Sequence, residues 1–294
     1  MQWISGRPDG HQRRTLTAPD GVPIMAREWP RPDARATILY LHGQGDHSGP
    51  FTHMGDWLHE RGHHVVAYDH RGFGLSPTRR GDIDSFDRYL EDAIHLLRGM
   101  AEAQPGRPRF LLGLSMGGHI ALRTAARAES MQAPDGPLVR GVVALSPGFR
   151  LRQSPSWKTV LQTIWLYLTD RERYVPPLGG YSIITTKNAT HLERAGQDPT
   201  WTTAYTPRFY METLRSIKRA KRELSSLGLP VLMLQGAEDY MVDPEENRRI
   251  FDRMRAPDRS FRLLAGLYHN LVAEPEMPEV ASQVADWIEE RIHQ

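Results

Sequence analysis

The chain has 294 residues, 39% of them apolar, enough for a large core in one α/β domain with an insertion or in two smaller domains. The 37 Lys and Arg residues nearly balance the 35 Asp and Glu residues, and this net charge of +2 argues against a nucleic-acid-binding protein. The absence of cysteine excludes disulfides, a thiolate nucleophile and a zinc–thiolate site.

The first residues of the chain lack the basic segment and the continuous apolar run of a signal peptide. No later segment approaches the roughly 20 consecutive apolar residues that a transmembrane helix needs. We therefore expect a cytoplasmic protein, which the lack of cysteine also favours. The sequence carries no indication of the oligomeric state.

Strands and helices alternate in the predicted order. Residues 15–29 read as two antiparallel edge strands joined by a turn at 18–21. Further strands are predicted at 36–41, 64–68, 110–112, 138–146, 231–234 and 261–264, and helices at 51–61, 86–103, 117–126 and 278–292. This order predicts an α/β fold with a mostly parallel sheet and right-handed crossovers.

The alternation breaks down between Gly148 and Tyr210, where an aromatic segment is followed by a polar stretch. Helical spacing resumes at Met211 and leads back to the sheet. The sequence therefore predicts a core formed by residues 1–149 and 211–294, with a mainly helical cap inserted at 150–210.

The pattern Gly-x-Ser-x-Gly lies between the strand at 110–112 and an Ala-rich helix, with Ser115 at its centre. A sharp turn from strand to helix holds a serine hydroxyl out of the packed interior, where it acts as a nucleophile. We expect Gly113 and Gly117 to be required because a β-carbon at either position would strike the neighbouring strand or helix.

A serine nucleophile needs a base, and the base needs a carboxylate that orients it. Of the histidines that follow Ser115, His269 is the candidate because it lies in the loop after the strand at 261–264. The loop after the strand at 231–234 offers three acids, namely Glu238, Asp239 and Asp243. Asp243 precedes a proline and is better placed to cap the next helix, so Asp239 is the preferred partner of His269.

Histidine and aspartate residues, which can bind metal ions, are frequent in the first quarter of the chain. The residues concerned are His42, Asp46, His47, His53, His63, His64, Asp69 and His70. Their spacings match no zinc motif such as His-Glu-x-x-His, and several fall on elements that face different ways. The sequence predicts neither a metal site nor a cofactor.

Five motifs in this order resemble the α/β-hydrolase superfamily and, more narrowly, its monoacylglycerol lipase and lysophospholipase branch. They are His42-Gly-Gln-Gly-Asp-His-Ser48, Asp69-His-Arg-Gly-Phe-Gly-Leu-Ser76, Gly113-Leu-Ser-Met-Gly-Gly118, Gly236-Ala-Glu-Asp239 and Tyr268-His-Asn-Leu271. The resemblance extends from about Thr15 to Trp287 and is only loose in the cap. It implies an α/β-hydrolase fold and a serine hydrolase that needs no cofactor.

The resemblance also implies an oxyanion hole formed by the backbone N–H groups of Gln44 and Met116. Two such donors stabilise the negative oxygen of the tetrahedral intermediate. For His42, Asp69 and Arg71 we expect structural roles, in which their hydrogen bonds hold the surrounding loops.

The predicted cap and the helix after it are basic. Thirteen Lys or Arg residues face five acidic residues between Arg150 and Arg222, a local net charge of +8 that leaves −6 for the rest of the chain. Together with the aromatic segment at 157–168, this favours contact with an anionic membrane surface or a phosphate-bearing headgroup. The alternative is that the cations only solvate the cap helices while the apolar residues line an internal pocket.

In either case we expect Ile164, Trp165 and Leu168 to line a pocket for a long acyl chain. The predicted reaction is hydrolysis of a single-chain ester, a monoacylglycerol or a lysophospholipid, through an acyl-enzyme on Ser115. The alternatives are a small-ester carboxylesterase and a non-catalytic ligand receptor with the same fold. Dehalogenase and epoxide hydrolase chemistry is disfavoured because those enzymes attack with a carboxylate, whereas peroxidase or carbon–carbon hydrolase activity would use the same triad.

Overall fold

A computed structural model of the chain describes residues 10–178 and 184–293. Residues 1–9, on which the prediction about a signal peptide depends, residues 179–183 of the predicted cap and residue 294 lie outside the described residues. The described strands and helices confirm an α/β-hydrolase fold with a mostly parallel central sheet.

Among the described residues, eight strands form the central sheet and two further strands form a small hairpin. In chain order the strands are β1 (Gln12–Thr17), β2 (Pro23–Trp29), β3 (Thr37–Leu41), β4 (His64–Tyr68), β5 (Arg109–Leu114), β6 (Gln132–Ala133), β7 (Gly136–Pro137), β8 (Gly141–Leu145), β9 (Val231–Gly236) and β10 (Arg259–Leu264). The order across the eight-stranded sheet is β1-β2-β4-β3-β5-β8-β9-β10, while β6 and β7 form a separate antiparallel pair. Within the eight-stranded sheet, β1 with β2 and β2 with β4 are antiparallel, and the other neighbouring strands are parallel.

The helices of the described chain are α1 (Thr52–Glu60), α2 (Asp87–Ala103), α3 (Met116–Ala128), α4 (Trp157–Thr169), α5 (Ala189–Gln197), α6 (Pro207–Glu223), α7 (Pro244–Asp252) and α8 (Met277–Glu289). A single 3₁₀ turn at Leu224–Ser226 follows α6. Within these ranges, no helix is long and apolar enough to cross a membrane.

The sheet separates two buried apolar clusters, one on each face. Along β3, Ile38 and Tyr40 belong to the cluster beneath α1 and α8, while Leu39 and Leu41 belong to the cluster beneath α2 and α3. This alternation follows from the two-residue repeat of a strand. It explains why apolar residues occupy consecutive positions along the central strands.

Helix α6 begins at Pro207, four residues before the predicted Met211. The Thr206 side chain accepts a hydrogen bond from the Phe209 N–H, and Pro207 occupies the first turn. These two residues cap the helix and set its start before the predicted position. The proposed division of core and cap after residue 210 therefore falls inside α6. The remaining described part of the cap contains α4 and α5 and lies between β8 and α6.

Candidate active site

Ser115 occupies the turn between β5 and α3. Its backbone has φ +53° and ψ −117°, a strained conformation for a residue with a side chain. A β-carbon on Gly113 would lie 2.2 Å from the Gly117 carbonyl oxygen, and one on Gly117 would lie 2.0 Å from the Leu41 carbonyl oxygen. The expectation that both positions require glycine is confirmed, because neighbouring backbone fills the space on each side.

The three candidate triad residues follow three strands at the same edge of the sheet. Ser115 comes directly after β5, Asp239 lies in the loop after β9, and His269 lies in the loop after β10. Since these strands are parallel, their carboxyl ends meet at one edge, where open α/β sheets bind ligands. All three side chains are buried.

Asp239 and His269 are in direct contact: the distance between His269 Nδ1 and Asp239 Oδ2 is 2.8 Å. The carboxylate also accepts hydrogen bonds from Gln235 Nε2 at 2.9 Å and from the N–H groups of Met241 at 2.8 Å and Val242 at 2.9 Å. Burial by itself would raise the pKa of Asp239, but the neighbouring His269 and the hydrogen bonds from the Val242 and Met241 N–H groups hold it below its ordinary value. Asp239 is therefore a carboxylate that can orient and stabilise an imidazolium.

The contact with Asp239 assigns the proton of His269 to Nδ1, which leaves the lone pair of Nε2 free. Nε2 is buried and has no hydrogen-bond partner within residues 10–178 and 184–293. A group in this state can accept a proton from a nucleophile and return it to a leaving group.

Asp243 has the structural role that its position before Pro244 indicates. Its carboxylate caps α7 by accepting hydrogen bonds from the N–H groups of Glu245 at 3.0 Å and Glu246 at 3.4 Å. This leaves Asp239 as the acid in contact with the imidazole of His269.

The loop that contains Gln44 lies against Ser115. A β-carbon on Gly43 would be 3.3 Å from the Ser115 β-carbon, so this loop packs closely against Ser115. Met116 is the first residue of α3, where backbone N–H groups have no partner within the helix and carry a partial positive charge. Both predicted oxyanion donors thus belong to backbone segments next to Ser115.

His42 and Asp69 hold the loops around Ser115. His42 Nε2 accepts a hydrogen bond from the His70 N–H at 2.9 Å, and its Nδ1 lies 2.8 Å from the Gly43 carbonyl oxygen. Burial lowers the pKa of His42 to about 4, so the ring is neutral at pH 7. Asp69 accepts hydrogen bonds from the N–H groups of Ser48 and Leu75, each at 2.8 Å.

Arg71 connects three separate parts of the core. Its Nε lies 2.6 Å from Asp92 Oδ2 on α2, and its Nη2 lies 2.7 Å from Asp20 Oδ1 in the turn between β1 and β2. These contacts are those of a loop anchor.

The predicted acyl-pocket residues require a correction. Ile164, Trp165 and Leu168 are 39%, 59% and 75% exposed, so their side chains face solvent and do not form the wall of an enclosed pocket. The inner face of α4 presents Thr163 and Leu166 instead. Helical spacing identified an apolar stripe on α4, but the tertiary structure turns this stripe outward.

Residues of the predicted cap also contact the three loops that contain Asp239, His269 and Gln44, and the sequence did not predict these contacts. Arg152 Nη1 donates to the Asp239 carbonyl oxygen at 2.6 Å. The Asn270 N–H donates to the Thr185 carbonyl oxygen at 2.7 Å, and the Thr202 N–H donates to the Gly45 carbonyl oxygen at 2.9 Å. These partners are far apart in the chain and most of the bonds use backbone atoms, so no residue pattern signals them.

The Hydrolase_4 family model, described as serine aminopeptidase, S33, matches residues 32–276. Human monoglyceride lipase is 30% identical over 283 residues, which cover 94% of this chain and 90% of that protein. The monoacylglycerol lipase of Mycolicibacterium smegmatis is 26% identical and covers 91% of this chain and 93% of that protein. The crystal structure of Paleococcus ferrophilus monoacylglycerol lipase has a TM-score of 0.77 at 25% identity, covering 91% of this chain and 99% of that one.

Proposed function

The chain belongs to the Hydrolase_4 family of α/β hydrolases and is a carboxylic ester hydrolase, and we propose that it cleaves monoacylglycerols through an acyl-enzyme on Ser115. The observation that carries the catalytic part is the contact of 2.8 Å between His269 Nδ1 and Asp239 Oδ2 at the sheet edge where Ser115 lies. Support for the substrate comes from two sequence relatives and one solved structure that are named monoglyceride or monoacylglycerol lipases.

In the proposed mechanism, Ser115 Oγ attacks the ester carbonyl carbon while His269 Nε2 removes the hydroxyl proton. The N–H groups of Gln44 and Met116 donate hydrogen bonds to the oxyanion of the tetrahedral intermediate. As the intermediate collapses, His269 returns the proton to the oxygen of the leaving alcohol. A water molecule, activated by the same imidazole, then hydrolyses the acyl-serine and releases the fatty acid.

Chain length tests the substrate class. We expect kcat/KM to rise from acetyl to long-chain p-nitrophenyl esters, and to rise likewise across monoacylglycerols, because each buried methylene contributes roughly 0.8 kcal/mol, or about fourfold. Initial rates measured below the critical micelle concentration would give the profile. A flat or falling profile beyond acetate would indicate a small-ester carboxylesterase. No turnover of any ester, with no labelling by a fluorophosphonate probe, would indicate a ligand receptor.

The apolar stripe of α4 supports a second part of the proposal, peripheral contact with an anionic membrane. Six large apolar side chains on this helix are exposed, namely Trp157, Val160, Leu161, Ile164, Trp165 and Leu168. Cations flank the stripe: Lys158 Nζ lies 5.7 Å from the Trp157 ring centre, and the Arg215 guanidinium lies 5.3 Å from the Tyr167 ring centre. An apolar stripe bordered by cations is suited to an interface that carries negative lipid headgroups.

Vesicle sedimentation tests this contact. We expect binding to phosphatidylcholine vesicles that contain phosphatidylglycerol to exceed binding to phosphatidylcholine alone, and to weaken as salt is added. The double variant Trp165→Ser, Leu168→Ser should bind about tenfold more weakly, because two exposed apolar anchors are removed. Leu263→Ser is a matched control, since Leu263 is similarly exposed but lies on the edge strand β10. Equal binding of both variants would contradict the proposal.

A further inference from the structure

Asn270 directly follows the proposed base and lies where the loop of His269 meets the cap. The residue is 6% exposed. Its backbone N–H donates to the Thr185 carbonyl oxygen, and its side-chain Nδ2 lies 3.4 Å from Nε2 of His191 on α5. Backbone and side chain are thus both held by the cap.

The contact with His191 determines how the amide of Asn270 is turned. Burial, assisted by the charge of Arg194, lowers the pKa of His191 below its ordinary value, so the ring is neutral and can accept a hydrogen bond. The amide nitrogen of Asn270 therefore faces the ring, and the carbonyl oxygen faces away from it. This oxygen, Oδ1, is buried and has no hydrogen-bond partner among the described residues. A buried acceptor without a donor is unfavourable, and a bound ligand that supplies a donor relieves the penalty.

The reaction itself places the leaving alcohol beside this loop. His269 Nε2 must protonate the alcohol oxygen, so the carbons attached to that oxygen lie within a few ångströms of residues 269 and 270. Trp201, a residue of the predicted cap, lies between His191 and the loop that contains Gln44. Its ring centre is 6.1 Å from that of His191 and 6.3 Å from that of His47, and its Nε1 would lie 3.5 Å from a β-carbon on Gly45. The cap thus connects the loop of the base with the loop of the proposed oxyanion donor.

We propose that Asn270 is a specificity-determining residue whose Oδ1 accepts a hydrogen bond from a free hydroxyl of the leaving alcohol. The residue thereby favours esters whose alcohol carries a hydroxyl on the carbon next to the esterified carbon. This inference rests on the proposed ester hydrolysis. The glycerol of a 1-monoacylglycerol and the glycerol backbone of a 1-acyl lysophospholipid both carry such a hydroxyl, whereas a methyl ester of the same fatty acid carries none.

The test compares kcat/KM for a 1-monoacylglycerol, a 1-acyl lysophosphatidylcholine and the methyl ester of the same fatty acid. In Asn270→Leu, which keeps the volume of the side chain, we expect the preference for hydroxyl-bearing substrates over the methyl ester to fall about five- to tenfold. Asn270→Ala should lower the preference in the same direction. If only one of the two lipids is affected, that lipid is the source of the hydroxyl.

Lys187→Ala provides a control. Lys187 Nζ donates to Glu276 Oε1 at 2.6 Å, so its removal loosens a contact between the predicted cap and the segment before α8 and leaves the contact of Asn270 with His191 in place. We expect this variant to change the rates on all three substrates by the same factor. An unchanged preference in both Asn270 variants would overturn the inference. The ester hydrolase proposal fails separately, by the absence of turnover in the unaltered enzyme.

Discussion

Ser115→Ala should lower kcat for ester hydrolysis by a factor on the order of 10⁴ to 10⁶, since no other group replaces the attacking oxygen of the acyl-enzyme route. The side chain is buried in a tight turn, and removal of one oxygen leaves the backbone contacts of that turn in place. The variant should therefore fold with an unchanged thermal midpoint. Initial rates on a monoacylglycerol, together with circular dichroism during heating, would measure both effects. Labelling of the enzyme by a fluorophosphonate should also disappear.

Ser146→Ala is the matched control for this substitution. Ser146 follows β8, the strand next to β5, and its backbone φ of +41° is also positive. Its hydroxyl is buried and has no hydrogen-bond partner in the part of the chain that the structure describes. We expect Ser146→Ala to keep its activity. Substantial turnover by Ser115→Ala, or loss of activity in Ser146→Ala alone, would assign the nucleophile to a different group.

Gly117→Ala should destabilise the protein by about 3 kcal/mol or more, because the new methyl group has no space. It would lie 2.0 Å from the carbonyl oxygen of Leu41 and 2.6 Å from that of His42, and both are backbone atoms that cannot rotate away. We expect the midpoint of thermal unfolding to fall by roughly 6–12 °C. The forced shift of the backbone next to Gln44 and Ser115 should also lower kcat by about 10²-fold.

Gly99→Ala separates this steric effect from the general effect of replacing a glycine. Gly99 is exposed on α2, and a β-carbon there would meet nothing within 4 Å. Alanine favours a helix over glycine by roughly 0.5–1 kcal/mol, so this variant should be slightly more stable than the unaltered protein. Comparable losses of stability in both variants would contradict the steric explanation, in which only the methyl group at position 117 meets neighbouring backbone.

Much of the core could be predicted because local patterns determine it. Apolar runs at 36–41 and 64–68 predicted the buried strands β3 and β4, whose bounds differ from the prediction by at most one residue. Glycines at 113 and 117 predicted the tight turn around Ser115. The start of α6 was misplaced because Thr206 and Pro207, which cap the helix, lie before its first periodic apolar residues.

The cap resisted prediction because periodicity gives the spacing of side chains and not the direction in which a face points. The stripe of Trp165 and Leu168 has the spacing of a buried helix face. In the folded chain, α4 packs through Thr163 and Leu166, and the stripe is exposed. Only the packing of α4 against α6 decides which face is covered.

By itself, the sequence determined the order of the main strands and helices of the core and the tight turn around Ser115, and it predicted Asp239 and His269 as the partners of Ser115, since each depends on residues close together in the chain or on motif order. The tertiary structure decided the contacts between segments far apart in the chain: the pairing of Asp239 with His269, the hydrogen bond from Thr202 to Gly45, and the contact of Asn270 with His191. Such contacts form only when the sheet brings the carboxyl ends of separate strands together and the cap folds over them. No local pattern of residues encodes their distances, because these depend on the packing of the whole chain.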